Sequence, residues 1–357
     1  MSEAEDYAAR MESIRMIRDS AAAVAPRGGD LKRIRDLRFT DVGFDPAVLA
    51  EMGALGWIGL RLPEEAGGAG LGMSECCALA EELGAGLVPE PLIHAMLSAR
   101  VLSAAGAVAP LERVLAGEAY VPAAWQEAPD ALEIAGSADG MRLFVPAMRG
   151  ASDILVARRE GGAMALYQIP AAAQPIELRA LQDGGHVGQF SPRFDSGQRL
   201  GILGDGAEEA LDEAALATAA YLLGAMERCF AMTLDYLRTR QQFGRAIGSF
   251  QALQHRAVDL KVQISLTRAS VEAAAATVDA APAASLRRAA VSRAKARAAE
   301  ASMRVTREAV QLHGAIGYTD EYDIGLFLRK AMVLANDYGS AALHRRRFAA
   351  SAAPEEA

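Results

Sequence analysis

A chain of 357 residues exceeds one typical domain, and 52% hydrophobic with 23% charged content marks a globular protein, not a disordered one. A net charge of −8 excludes a general nucleic-acid or anionic-membrane binder, which needs a basic field, but leaves room for an anionic small ligand held by local arginines. The opening residues lack a signal-peptide core, no apolar run is long enough to span a bilayer, and Cys76, Cys77 and Cys229 make no disulfide framework, so a cytoplasmic location is expected.

In chain order, residues 1–117 read as helices joined by Gly/Pro turns. Leu49, Met52, Leu55 and Ile58 have helical spacing ahead of the 62–68 turn. A helix over 73–83 ends at Gly84, and Pro89 and Pro91 break the chain before a helix over 92–105. Over 118–203 the texture changes to short apolar runs at 141–145, 153–157 and 165–169, separated by Gly, Pro, Asp and Gln clusters. These predict strands of a small sheet or barrel, with a hairpin turn at Gly161-Gly162. From 204 onward the chain reads as helices over 210–240, 250–278, 283–312 and 323–335, with short connections that suggest a bundle. The predicted fold class is therefore α+β, mostly α: an N-terminal helical domain (1–117), a small central β domain (118–203) and a C-terminal four-helix bundle (204–357).

Two segments carry chemistry. In 236–251 a helix ending in Arg238 and Arg240 is followed by a glycine turn and a new helix near Ser249. Guanidinium forks and free helix N-terminal amides suit a diphosphate, and Gln251 in the first turn is placed to meet an adenine or phosphate edge. The same arginines equally suit a surface helix end, where they balance the C-terminal dipole, and spacing does not choose between the two. In 311–322 a helix ends in a glycine turn that lets a ligand approach the backbone. His255 and His313 read as packing or capping residues, and His344 with Arg345, Arg346 and Arg347 as a solvated helix end. No His/Cys/carboxylate cluster has metal-ligand spacing, so no metal is expected.

Together these segments resemble the acyl-CoA dehydrogenase family, whose members carry R-x-x-F-G followed by a helix beginning F/H-Q, and about seventy residues later Q-x-x-G-G-x-G-(Y/F). The first pattern matches at Arg240, Phe243, Gly244, Phe250 and Gln251. The second matches at Gln311, Gly314, Gly317 and Tyr318, with Ala315 in place of the second glycine. The runs 53–60, 63–71 and 81–84 also resemble the family's first domain, so the likeness covers nearly the whole chain. It implies FAD as cofactor, and Arg240, Gln242, Phe243, Phe250, Gln251, Gln311, Gly314 and Ala315 as cofactor-binding positions around its ADP portion, often across a subunit boundary. It further implies an acyl-CoA substrate, α,β-desaturation, an acceptor of the electron-transfer flavoprotein kind, and a homo-oligomer or heterotetramer.

The chain departs from the family in two places. The stretch like T-E-P-x-x-G-S-D that lines the flavin reads Trp125-Gln126-Glu127-Ala128-Pro129-Asp130 here, and the W-I-(T/S) strand becomes Leu143-Phe144-Val145-Pro146, where the proline implies an edge or a bulge. The glutamate of Y-E-G-(T/S), which takes the substrate's α-proton, is replaced by Tyr338 in Asp337-Tyr338-Gly339-Ser340. A family subset carries its base on the helix before R-x-x-F-G, at a position that falls on Ala214. Asp337 and Glu213 are the candidate catalytic carboxylates, each one residue, or about 100° of helix, from the expected place. The competing readings are solvent-facing carboxylates in a base-lacking partner subunit, a flavin-free helical scaffold, and an oxidase or monooxygenase on the same fold.

Overall fold

The computed structural model describes residues 3–26, 28–204 and 206–352. Helices α1 (Glu3–Ser20), α2 (Lys32–Leu37), α3 (Pro46–Ala54), α4 (Met73–Ala85), α5 (Leu92–Ala104) and α6 (Val108–Leu115) come first. Strands β1 (Arg142–Pro146), β2 (Asp153–Glu160), β3 (Ala163–Pro170), β4 (Glu177–Ala180), β5 (His186–Phe190) and β6 (Gln198–Ile202) follow. The chain then runs through α7 (Gly206–Thr239), a ribbon of β7 (Gln241–Gln242) and β8 (Arg245–Ala246), α8 (Gln251–Asp279), α9 (Ala284–His313), α10 (Ile324–Leu334) and α11 (Ala341–Ala352). The fold is mostly helical with small antiparallel sheets, the class read from the sequence. Contacts group it into two compact units, residues 34–72 with 89–215, and residues 1–33 with 73–88 and 216–357.

The unit of 34–72 and 89–215 carries two three-stranded antiparallel sheets, ordered β1-β5-β4 and β2-β3-β6. The β2–β3 register pairs Glu160 with Ala163, so Gly161 and Gly162 form a two-residue turn with φ of 54° and 92°, a conformation glycine adopts without steric cost. β1 is an edge strand whose register shifts between Arg142 and Val145, as Pro146 implied. At that irregularity Phe144 takes a left-handed backbone (φ 55°) that puts its ring on the surface. Alternate residues of the strands, among them Val145, Ile154, Val156, Ile169 and Phe190, bury one core. The fully buried Arg142 guanidinium donates to the carbonyls of Ser137, Gly140 and Ala157 and pairs with Glu127, which closes the 127–142 loop.

In the helical unit α9 is the central element, packed by α8, α10 and α11. Its buried stripe, Val291, Lys295, Ala298, Ser302, Val305 and Ala309, has the helical period. α4 and α7 approach closely enough that a Cβ on Gly224 would fall 1.9 Å from the Glu81 carbonyl oxygen, and one on Gly84 would fall 2.0 Å from that of Tyr221. Small residues at both crossings are therefore a packing requirement. The start of α4 is capped from a distance: Asp279, at the end of α8, accepts from the amides of Met73 and Ser74 and from the Ser74 hydroxyl, and pairs with Arg10. Buried Glu81 sits between Arg18 (2.7 Å) and Arg268 (3.1 Å), so its charge is compensated inside the unit.

Candidate functional site

The end of α7 builds the first half of the site. After Thr239 the chain turns through Phe243 (φ 53°) and Gly244 (φ 78°), with Gln241 paired to Ala246 and Gln242 to Arg245. A left-handed backbone at a phenylalanine is strained, and here it holds the ring in solvent, 90% exposed. The Phe243 ring meets Phe250 edge-on at 6.1 Å, and the Arg245 guanidinium lies 4.1 Å from the centre of the Phe250 ring. Arg238 is paired with Asp235 at 3.3 Å, whereas the exposed Arg240 guanidinium meets no carboxylate among the described residues. Gln251 then opens α8 with no side-chain cap: the amides of Leu253 and Gln254 donate to the Phe250 carbonyl, which leaves those of Gln251 and Ala252 as the donors at the start of this 29-residue helix. The arrangement is basic and aromatic, with two helix N-terminal amides beside it.

The end of α9 builds the second half. Gly314 closes the helix at φ 68°, with open space where a Cβ would stand, and Gln311, Gly314 and Ala315 are all exposed. The structure joins the two halves through an aromatic stack. Tyr236, one turn before Arg240, donates its hydroxyl to the His313 carbonyl at 3.2 Å, and its ring lies on the imidazole with centroids 4.4 Å apart. Tyr322 covers the imidazole from another side at 5.0 Å. His313 donates from Nδ1 to the Ala309 carbonyl at 2.7 Å, and burial holds its pKa below the usual range, so Nε2 is an acceptor that lacks a partner among the described residues. The packing role read for His313 thus holds the two motif turns together. Tyr236 and Arg245 were not assigned from the sequence. Their signal was present, in an aromatic one helical turn before the arginine and a cation facing it across the glycine turn.

The two candidate carboxylates occupy different surroundings. Glu213 lies within the regular helix α7 and is buried, not solvent-facing. It accepts from Arg61 at 2.7 Å and meets Arg100 at 3.1 Å, a carboxylate held by two cations. Asp337 is half-buried in the turn between α10 and α11, where it accepts from the Tyr338 amide at 3.1 Å. Tyr338 is buried with φ 51°. His344 is fully buried as well, contrary to the solvated helix end read from its basic neighbours. α11 turns it inward to the Tyr338 carbonyl (2.8 Å) and Ser292 (3.3 Å), and burial brings its pKa to about 3.

Comparison with known proteins decides the family. Residues 204–353 match the acyl-CoA dehydrogenase C-terminal domain and residues 11–119 the acyl-CoA dehydrogenase N-terminal domain. The acyl-CoA dehydrogenase IpdE2 of Mycolicibacterium smegmatis is 32% identical over 330 residues, covering 90% of this chain and 92% of that protein. The chain belongs to the acyl-CoA dehydrogenase family. Among solved structures, a variant of the Tcur3481–Tcur3483 steroid ACAD superposes with a TM-score of 0.83 at 26% identity, covering 96% of this chain and 98% of that one. The butyryl-CoA dehydrogenase of Megasphaera elsdenii shares the fold at a TM-score of 0.79 and 20% identity, over 96% of this chain and 97% of that one.

An acyl-CoA dehydrogenase needs a place for FAD, and the turn presents chemistry that suits an ADP portion: Arg240 meets no carboxylate among the described residues, the start of α8 has no side-chain cap, and the Phe243 ring is exposed. In the 125–130 stretch the polar side chains are engaged locally. The Gln126 amide donates to the carbonyls of Ala128 and Pro129, and Glu127 is taken by Arg142 and Ser137.

Proposed function

We propose that the chain is a subunit of an FAD-dependent acyl-CoA dehydrogenase of the cytoplasm that introduces an α,β double bond into an acyl-CoA thioester. The observation that carries the proposal is the Tyr236–His313 stack, which brings the end of the arginine helix and the glycine turn together in a chain of this family. Arg240 and the first amides of α8 would hold the diphosphate, Gln251 and the rings of Phe243 and Phe250 the adenosine end, and the exposed backbone at Gln311, Gly314 and Ala315 the remaining edge. FAD, when bound, accepts the β-hydrogen of the substrate as hydride. The protein must supply a carboxylate that takes the α-proton.

Two arrangements meet that need. In the first, Asp337 takes the proton from its turn beside Tyr338. In the second, the proton goes to a carboxylate of a different chain, and the assembly is mixed. The second is favoured because Glu213, the other candidate within the chain, has both carboxylate oxygens engaged, one by Arg61 and one by Arg100. The similarity to a steroid ACAD whose name joins two designations supports the same reading. The purified protein, alone and co-expressed with a candidate partner, separates them. Asp337→Asn abolishes flavin reduction by acyl-CoA while sparing flavin content if the chain carries its own base. In a mixed assembly the chain alone is inert, the assembly is active, and Asp337→Asn leaves that activity in place. Activity of the chain alone that survives both Asp337→Asn and Glu213→Gln contradicts both arrangements.

A further inference from the structure

Lys295 is the one feature of the buried stripe of α9 that packing does not explain. An ammonium in a helix core is costly unless every proton finds an acceptor. Here all three do: Nζ donates to the carbonyls of Leu334 (3.3 Å), Ala335 (3.1 Å) and Gly339 (3.1 Å), and the side chain is fully buried. The first two carbonyls are the unsatisfied end of α10, and the third lies past Asp337 and Tyr338 in the turn to α11. One cation therefore ties the end of α10 and the far side of the six-residue connection, 335–340, to the central helix.

The loop needs such a tie. Tyr338 sits in a left-handed backbone that a tyrosine adopts only when its surroundings hold it there. His344 of α11 bonds the Tyr338 carbonyl from the other side. We propose that Lys295 is a positioning residue, whose buried ammonium holds the 334–340 turn, and with it Asp337 and Tyr338, in the conformation that the acyl group meets. The inference rests on the reading that this turn lies beside the substrate. Burial lowers the Lys295 pKa to about 8, with Asp337 opposing the shift, so above that pH the bonds to the three carbonyls lose their charge, even though shedding a buried charge favours the folded chain as a whole. The groups around it do not share that titration. His344, at about 3, is neutral throughout the range, and the neighbouring Arg347 is engaged by Ser292 at 3.3 Å.

The test uses the FAD-loaded protein, with its partner chain present if the assembly is mixed, and compares it with Lys295→Met. Three measurements are made: flavin content, the pH profile of flavin reduction by acyl-CoA, and amide exchange of residues 334–340. The expected result is unchanged flavin content, flavin reduction slowed at least tenfold, loss of the profile limb near pH 8, and faster exchange confined to 334–340. A limb near pH 8 that persists in Lys295→Met, or exchange in 334–340 equal to that of the unsubstituted protein, overturns the proposal. Faster exchange with an unchanged reduction rate also overturns it, because the turn is then pinned by Lys295 but does not act on the substrate. An unsubstituted assembly that no acyl-CoA reduces is a failure of the functional reading, and is told apart because the exchange result still stands by itself. If Lys295→Met does not fold, the unsubstituted protein at pH 7 and pH 9 decides. Protection lost in 334–340 relative to α7 supports the proposal, and equal protection overturns it.

Discussion

At the scale of single residues, the molecule places charge where chemistry or folding needs it and compensates it elsewhere. Arg240 is an exposed cation that meets no carboxylate among the described residues, and its loss is expected to release cofactor without unfolding the chain. A hydrogen bond to a charged group contributes about 1.5–3 kcal/mol, so Arg240→Ala should lose flavin on dilution while its circular dichroism is unchanged; full flavin occupancy in the dilute mutant would count against the mapping. Lys295 makes the opposite case. Its pKa falls from 10.5 in the unfolded chain to about 8 in the folded one, so between those values the unfolded state binds the extra proton. Stability must then rise with pH through that window, by at most about 1.4 kcal/mol per pH unit from this residue. Urea midpoints at pH 8 and pH 9.5 should show that increment in the unsubstituted protein and lack it in Lys295→Met. The basis of this behaviour was visible in the sequence as a lysine on an otherwise small and apolar helical stripe, but its three carbonyl partners lie about forty residues away, and no local pattern gives them.

At the scale of elements, periodicity and punctuation were enough to place most of the chain. The alternating runs and Gly161-Gly162 marked the β2–β3 hairpin, Pro146 marked an edge strand with a bulge, and the long helices α7, α8 and α9 were delimited by their glycine and proline breaks. α11 was not delimited, because its basic residues read as solvated while His344 and Leu343 turn inward from the same helix. What sequence cannot give is pairing between distant elements. Asp279 reads locally as an acidic residue near a helix end, where the dipole disfavours it; its purpose is to cap α4, two hundred residues earlier in the chain. Asp279→Ala leaves two amides at the start of α4 and the Arg10 guanidinium without their acceptor. Caps contribute about 0.5–2 kcal/mol, and a domain of this size loses about 2–4 °C of Tm per kcal/mol. A Tm fall of about 1–8 °C is expected in a thermal scan, and a Tm equal to that of the unsubstituted protein would show that the cap is dispensable.

At the scale of the whole molecule, the family was legible because two short motifs keep their spacing and order: Arg240, Phe243 and Gly244 at one helix end, Gln311, Gly314 and Gly317 at another. The structure adds that these turns are joined through Tyr236 and His313. The catalytic base was not legible, because both candidates lie one residue from the family's positions. Their surroundings separate them, Glu213 clamped by two arginines and Asp337 in a turn tied to Lys295. The central claim is that this chain belongs to an assembly that oxidises acyl-CoA through bound FAD. The most direct measurement is an anaerobic titration of the purified, flavin-loaded assembly with a series of acyl-CoA thioesters, followed by the visible flavin band. The account predicts that at least one thioester bleaches the band, with an α,β-unsaturated product, and that the band returns on adding an electron acceptor. A flavin band unchanged by every thioester, or a purified assembly with no flavin at all, would contradict it.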